Sequence, residues 1–104
     1  MAKIELGRVV ATARVWELID SNERFNRFVS GCLTRFVMSD WGDLTQDDWD
    51  LNEESVRTND GRILASYPLP DFVEVEFEDK LWIILDIGEE STDNVTTILF
   101  PGDY

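Results

Sequence analysis

The chain has 104 residues, a net charge of −13, 43% hydrophobic residues and twelve aromatics. That describes one domain with a modest core, too apolar to stay disordered and too acidic to favour direct contact with nucleic acid or an anionic membrane. No apolar run reaches the roughly 18–20 residues needed to span a bilayer, and no basic segment leads into an apolar one as in a signal peptide. Cys32 is the single cysteine, which rules out an internal disulfide and makes a cytosolic protein the expectation.

Residues 4–11 read as a short extended lead-in, after which Thr12 can cap a first helix with apolar positions Val15, Trp16, Leu18 and Ile19. Ser21-Asn22-Glu23 interrupts it, and Asn22 is a good cap for a second helix. There Phe25, Phe28, Val29, Cys32, Leu33 and Phe36 recur at helical spacing and define one buried face. Arg24, Arg27 and Arg35 fall off that face. Asp40-Trp41-Gly42-Asp43 reads as a turn. Thr45 then caps a third helix through the Asp48 amide, with Leu44 and Trp49 at the positions of a hydrophobic staple and an end near Asn59-Asp60-Gly61.

From Arg62 the period changes to two. Ile63, Ala65 and Tyr67 share a face until Pro68 and Pro70. Val73, Val75 and Phe77 alternate with Glu74, Glu76 and Glu78, the pattern of a half-exposed strand. Leu81–Leu85 is apolar on both faces and should be internal, and Val95–Phe100 forms the last strand. The expected architecture is α+β in a single domain (residues 1–104): N-terminal helices over about 12–60, packed on a C-terminal antiparallel sheet of three to four strands over about 62–100.

Charge divides the chain as the elements do. Residues 1–39 carry six basic side chains against four acids, whereas residues 40–104 carry only Arg57, Arg62 and Lys80 against eighteen acids. Eight carboxylates fall between Asp40 and Asp60 alone. Such a surface attracts basic protein surfaces, although acidity also simply keeps a chain soluble. The candidate partner-binding residues are Asp43, Asp47, Asp48, Asp50, Glu53 and Glu54 in one cluster and Glu74, Glu76 and Glu78 in the other.

Little points to catalysis. There is no histidine, the commonest general base and metal ligand. Cys32 lies on an apolar helix face, where it reads as a small hydrophobe. Among so many acids, chance carboxylate pairs are unavoidable and carry no glycosidase signal. Asp48-x-Asp50-x-Asn52 matches the opening of a calcium loop, but Glu53 replaces the required glycine and Asn59 the final glutamate. Neither cofactor nor metal is expected. Trp16 and Trp82 read as core, and Trp41 and Trp49 as packing between helix and sheet, with a partner anchor as the rival role.

Three segments carry a resemblance: Trp41-Gly42-Asp43-Leu44 with Asp47-Asp48 and Asn52-Glu53; Arg62–Tyr67; and Leu81–Ile84 with Thr96–Pro101 and Tyr104. Over roughly residues 39–104 the chain resembles small "plasmid-related" proteins of bacterial plasmids, integrated elements and phages. The Asp71–Asp79 segment lies outside that pattern. The resemblance implies a mobile-element setting in the cytoplasm of a bacterial host, where small acidic proteins often inhibit host defence. Together with the acidity, it leads to the expectation of a non-enzymatic binding protein of anti-CRISPR or anti-restriction type. Its partner would be a CRISPR effector or other defence nuclease, whose basic, nucleic-acid-binding surface it occupies as a DNA mimic. The alternative is a mobile-element accessory or interaction domain with no inhibitory role, and an enzyme using carboxylates alone is a further one.

Overall fold

The computed structural model describes residues 4–104. Strand β1 (Arg8–Ala11) leads into helices α1 (Ala13–Ser21), α2 (Glu23–Val37) and α3 (Gln46–Thr58), followed by strands β2 (Arg62–Pro68), β3 (Lys80–Asp86) and β4 (Val95–Leu99). This is the expected α+β architecture, with β3 internal in a four-stranded sheet of order β1-β4-β3-β2. Among the three C-terminal strands, β3 pairs antiparallel with both β2 and β4. The lead-in contributes more than expected, since β1 pairs in parallel with β4 and makes the sheet mixed. Gly7 permits this: its φ is +64°, and a Cβ there would lie 2.1 Å from the Asn94 carbonyl oxygen.

The helices begin and end largely as their sequences dictate. Asn22 Oδ1 accepts from the Phe25 amide at 3.1 Å, and Thr45 Oγ1 accepts from the Asp48 amide at 3.2 Å. Thr12 precedes α1 as expected but makes no cap bond, because its hydroxyl donates to Asp103 at 2.7 Å instead. The left-handed residue ending α3 is Asn59, two positions before the glycine expected to stop it.

One face of the sheet holds Ile63, Ala65 and Tyr67 of β2, Leu81, Ile83 and Leu85 of β3, and Thr96 and Ile98 of β4, side by side in register. All are buried against Phe25, Val29, Cys32 and Phe36 of α2, with Val15 of α1. Burial pushes the Cys32 thiol up to about 12, so at neutral pH it is a protonated apolar side chain. Trp82 lies on the opposite face, half-buried, with its ring edge-on to Tyr104 at 6.0 Å. Trp16 was expected in the core but is 63% exposed. Val15 and Leu18 already fill the inward arc of α1, and one residue's rotation of about 100° carries Trp16 off it.

The Asp40–Asp43 segment is more than a turn. It lies along the outer edge of β2, where Ser66 N–H donates to the Trp41 carbonyl at 3.0 Å and Asp43 N–H to the Ser66 carbonyl at 2.7 Å. Gly42, at φ +75°, is required because a Cβ would sit 2.2 Å from the Ser66 oxygen. Farther along, Asn52 of α3 acts as a substitute strand. Its Nδ2 donates to the Leu64 carbonyl at 2.7 Å and its Oδ1 accepts from the Leu64 amide at 3.1 Å. Ser55 Oγ then donates to the Arg62 carbonyl at 3.1 Å. The edge of β2 is closed along its length, which removes a template for strand addition.

The strand expected over Val73–Phe77 does not form. Its residues lie in a long connection between β2 and β3, which are already paired with each other as far as Pro68 and Lys80. With the edge of β2 covered and β3 flanked by β2 and β4, neither strand joined by this connection has a free edge for the alternating run. A tight turn forms instead, in which Glu78 N–H donates to the Val75 carbonyl at 3.0 Å and Phe77 adopts φ +65°. Val73 is buried, Val75 half-buried and Phe77 outside, so the period of two is broken at its third apolar residue.

Candidate protein-binding surface

Helix α3 turns one side to β2 and the other to solvent. Trp49, Asn52 and Val56 fall on its inner arc. About 100° per residue then places Asp47, Asp50, Leu51 and Glu54 on the outer arc, with Asp48 and Glu53 on the flanks. All five acids of the helix are exposed. Asp50 accepts from Gln46 Nε2 at 2.8 Å, and Glu54 pairs with Arg57. At the centre of this acidic surface stands Leu51, 65% exposed. The segment resembling a calcium loop is helical from Asp48 to Thr58, so its carboxylates diverge around the axis.

Asp43 lies outside the helix on the segment that closes β2, where Lys80 neutralises it. The other acidic cluster divides in two. Glu74 and Glu76 are exposed, while the Glu78 side chain is only 5% exposed and accepts from Arg14 Nη1 at 2.8 Å and from the Gly102 amide at 3.1 Å. Glu78 is therefore an internal clamp. It ties the base of the 75–78 turn to α1 and to the C-terminal segment, where Asp103 accepts from the same Arg14 nitrogen at 3.0 Å. At the tip, between Glu76 and Glu78, Phe77 is 96% exposed.

The two acidic surfaces are separate. A groove beside α3 is lined by Asp50, Glu53, Glu54, Val56 and Arg57. A different one, between α1 and the turn, is lined by Arg14, Glu17, Leu18, Glu74, Val75 and Glu76 among others. The arginines of α2 are engaged close to home: Arg35 with Asp40 at 2.8 Å, Arg27 with Glu23 at 3.5 Å, and Arg24 over the Phe72 ring at 3.9 Å. Among the described residues no group of three or more His, Cys, Asp or Glu side chains is placed to hold a metal ion.

Sequence reasoning found the acids of α3 but missed the exposed apolar side chains among them. Leu51 was legible from the helical angle, since it lies opposite Val56. Phe77 was not, because its exposure depends on a turn that replaced a strand.

Two carboxylates outside these surfaces hold the structure together in a pH-dependent way. The Arg35 guanidinium, helped by the Gly42 amide, holds Asp40 below the usual carboxylate range. Burial pushes Asp103 up, but bonds from Thr12, the Phe100 amide and Arg14 outweigh it and leave Asp103 lowered as well. Depressed folded values stabilise the protein above the unfolded carboxylate pKa of about 3.9 and lose that contribution as pH falls through the folded values. Urea midpoints are therefore expected to carry the full contribution of these two groups, unchanging with pH, near neutrality and to fall below about pH 4. The acid-side decline should shrink in an Asp103→Asn variant, and an unchanged decline in that variant would exclude the cluster as its source.

Comparison with protein-family models, curated proteins and solved structures finds no match. No helix among the described residues is long and apolar enough to cross a membrane.

Proposed function

We propose that the protein is a non-enzymatic acidic binding protein of mobile-element origin. It acts in the cytoplasm of a bacterial host by occupying the basic, nucleic-acid-binding surface of a defence nuclease complex of CRISPR or restriction type. One observation carries the reading: exposed carboxylates on α3 surround an exposed leucine, on a helix pinned to the sheet by Asn52 and Ser55. A fixed array of negative charge steers a basic surface into contact, and an apolar side chain at its centre supplies contact area once water is expelled. Asp47, Asp48, Asp50, Glu53 and Glu54 are the proposed contact residues, with Glu74, Glu76 and Phe77 as a second contact. Asp43, which lies outside α3 beside Lys80, and Glu78, whose side chain is only 5% exposed, leave the set.

The test is the salt and charge dependence of inhibition of purified defence nucleases. Exposed charge attraction is screened over about 8 Å at physiological ionic strength, so affinity should fall as salt rises. Reversing Asp47, Asp50, Glu53 and Glu54 together should slow association by at least about tenfold with the fold intact. Reversing Glu74 and Glu76 reports on the turn. Arg24, Arg27 and Arg35 serve as the control of opposite sign. Loss of binding on changing these arginines, with both acidic sets neutral, would overturn the electrostatic reading in favour of contact through α2.

A further inference from the structure

The two edges of the sheet are finished differently. Three devices cover β2, whereas β1 is left open. Its pairing with β4 engages alternate residues: Arg8 N–H donates to the Asn94 carbonyl at 2.9 Å and Thr12 N–H to the Ile98 carbonyl at 3.0 Å, with Val10 between them in register with Thr97. The N–H and C=O groups of Val9 and Ala11 therefore point away from the sheet, and no described residue bonds to them. Val9-Val10-Ala11 contains no charge and no proline, the usual means of blunting an edge. Val9 lies in register with Thr96, on the helix-covered face, yet is 44% exposed while Thr96 is fully buried. The helical layer stops short of β1. Val10 is half-buried on the opposite face. Apolar residues on both faces are the mark of an internal strand, but here the strand is outermost.

We propose that a second copy of this chain completes the edge. Two β1 strands pair antiparallel across a twofold axis, and two four-stranded sheets become one continuous sheet. Only Val9 and Ala11 have outward groups, which sets the register: Val9 faces Ala11 of the second copy, each pair exchanging N–H and C=O, and Val10 faces Val10. Charge favours a second copy over the basic partner proposed above. β1 carries Arg8 and no acid, while the acids of α3 lie at the opposite edge, so they stand at the far ends of the joined sheet. In this register Arg8 faces Thr12 of the second copy, whose hydroxyl is held by Asp103, so a cation meets a neighbouring carboxylate on both sides of the axis.

The contact is small, and each chain carries −13, so self-association is weak and strengthens with salt as repulsion is screened. That is the reverse of the salt dependence of the basic-partner contact, and the two proposals therefore fail separately. Sedimentation equilibrium of the full chain at low and high salt reads it directly. Val9→Pro removes only an outward donor and leaves the ladder to β4 intact, and Val9→Lys puts a charge on the edge. Dimer should appear with rising concentration, more at high salt, and either variant should raise the dissociation constant by at least about tenfold with the circular dichroism spectrum unchanged. In the wild-type chain, amide exchange at Val9 and Ala11 should slow as concentration rises, a reading that stands even where a variant unfolds. A monomer at every concentration and salt, dimers of both variants as tight as wild type, or exchange at Val9 and Ala11 independent of concentration would each overturn the proposal.

Discussion

Trp41→Ala is expected to lower stability by about 3–5 kcal/mol, the usual cost of deleting a large buried ring. Trp41 is fully buried and stands edge-on to Trp49 at 5.4 Å. It joins three elements: its carbonyl holds Ser66 of β2, its ring meets α3, and the chain entering it leaves α2 through the Arg35–Asp40 pair. Few neighbours can collapse into the space without dragging one of these with them. At about 4–8 °C per kcal/mol for a domain of this size, the melting temperature should fall by at least about 12 °C. Among the described residues the indole N–H has no hydrogen-bond partner. Trp41→Phe should therefore cost less than Trp41→Ala, because it keeps an aromatic ring and removes an unpaired buried donor. A melting temperature unchanged by Trp41→Ala would show that the ring does not hold the helix to the sheet.

Asn52→Ala should cost about 2–4 kcal/mol, a large effect for a polar side chain, because two backbone groups of Leu64 lose their partner together. Asn52 is 4% exposed, so water does not simply replace it. The loss should also be local. Amide exchange at Leu64 should quicken markedly, while Ser66 stays protected through its separate bond to Trp41. The opened edge should make the variant prone to aggregation on heating, since an uncovered edge strand invites pairing with other chains. Equal acceleration at Leu64 and Ser66 would mean that α3 and the 41–43 segment close the edge as one unit and not as two.

Read alone, the sequence determined whatever depends on near neighbours. The buried face of α2 follows from a spacing that allows one solution. Asn22 and Thr45 cap because their side chains reach an amide three residues away. The Leu81–Leu85 run reads as internal because five consecutive apolar residues put apolar side chains on both faces of the strand. Cys32 is buried because its helical angle points inward. The acids of α3 were legible too, since an acidic arc opposite Trp49 and Val56 must face water.

Tertiary structure decided the rest, in each case through partners distant in the chain. Asn52 reads locally as an ordinary polar helix residue, and only the position of β2 makes it a substitute strand. Glu78 has the same local pattern as Glu74 and Glu76, yet Arg14, sixty-four positions away, turns it inward. Val73–Phe77 has the period of a strand, but a strand needs an open neighbour, and both nearby edges were taken. β1 reads as a lead-in because nothing local shows that β4 will accept it in parallel. Hydrogen-bond supply along a sheet edge is a property of the assembled sheet, which is why helix faces and caps could be read from the sequence and the fate of both edges could not.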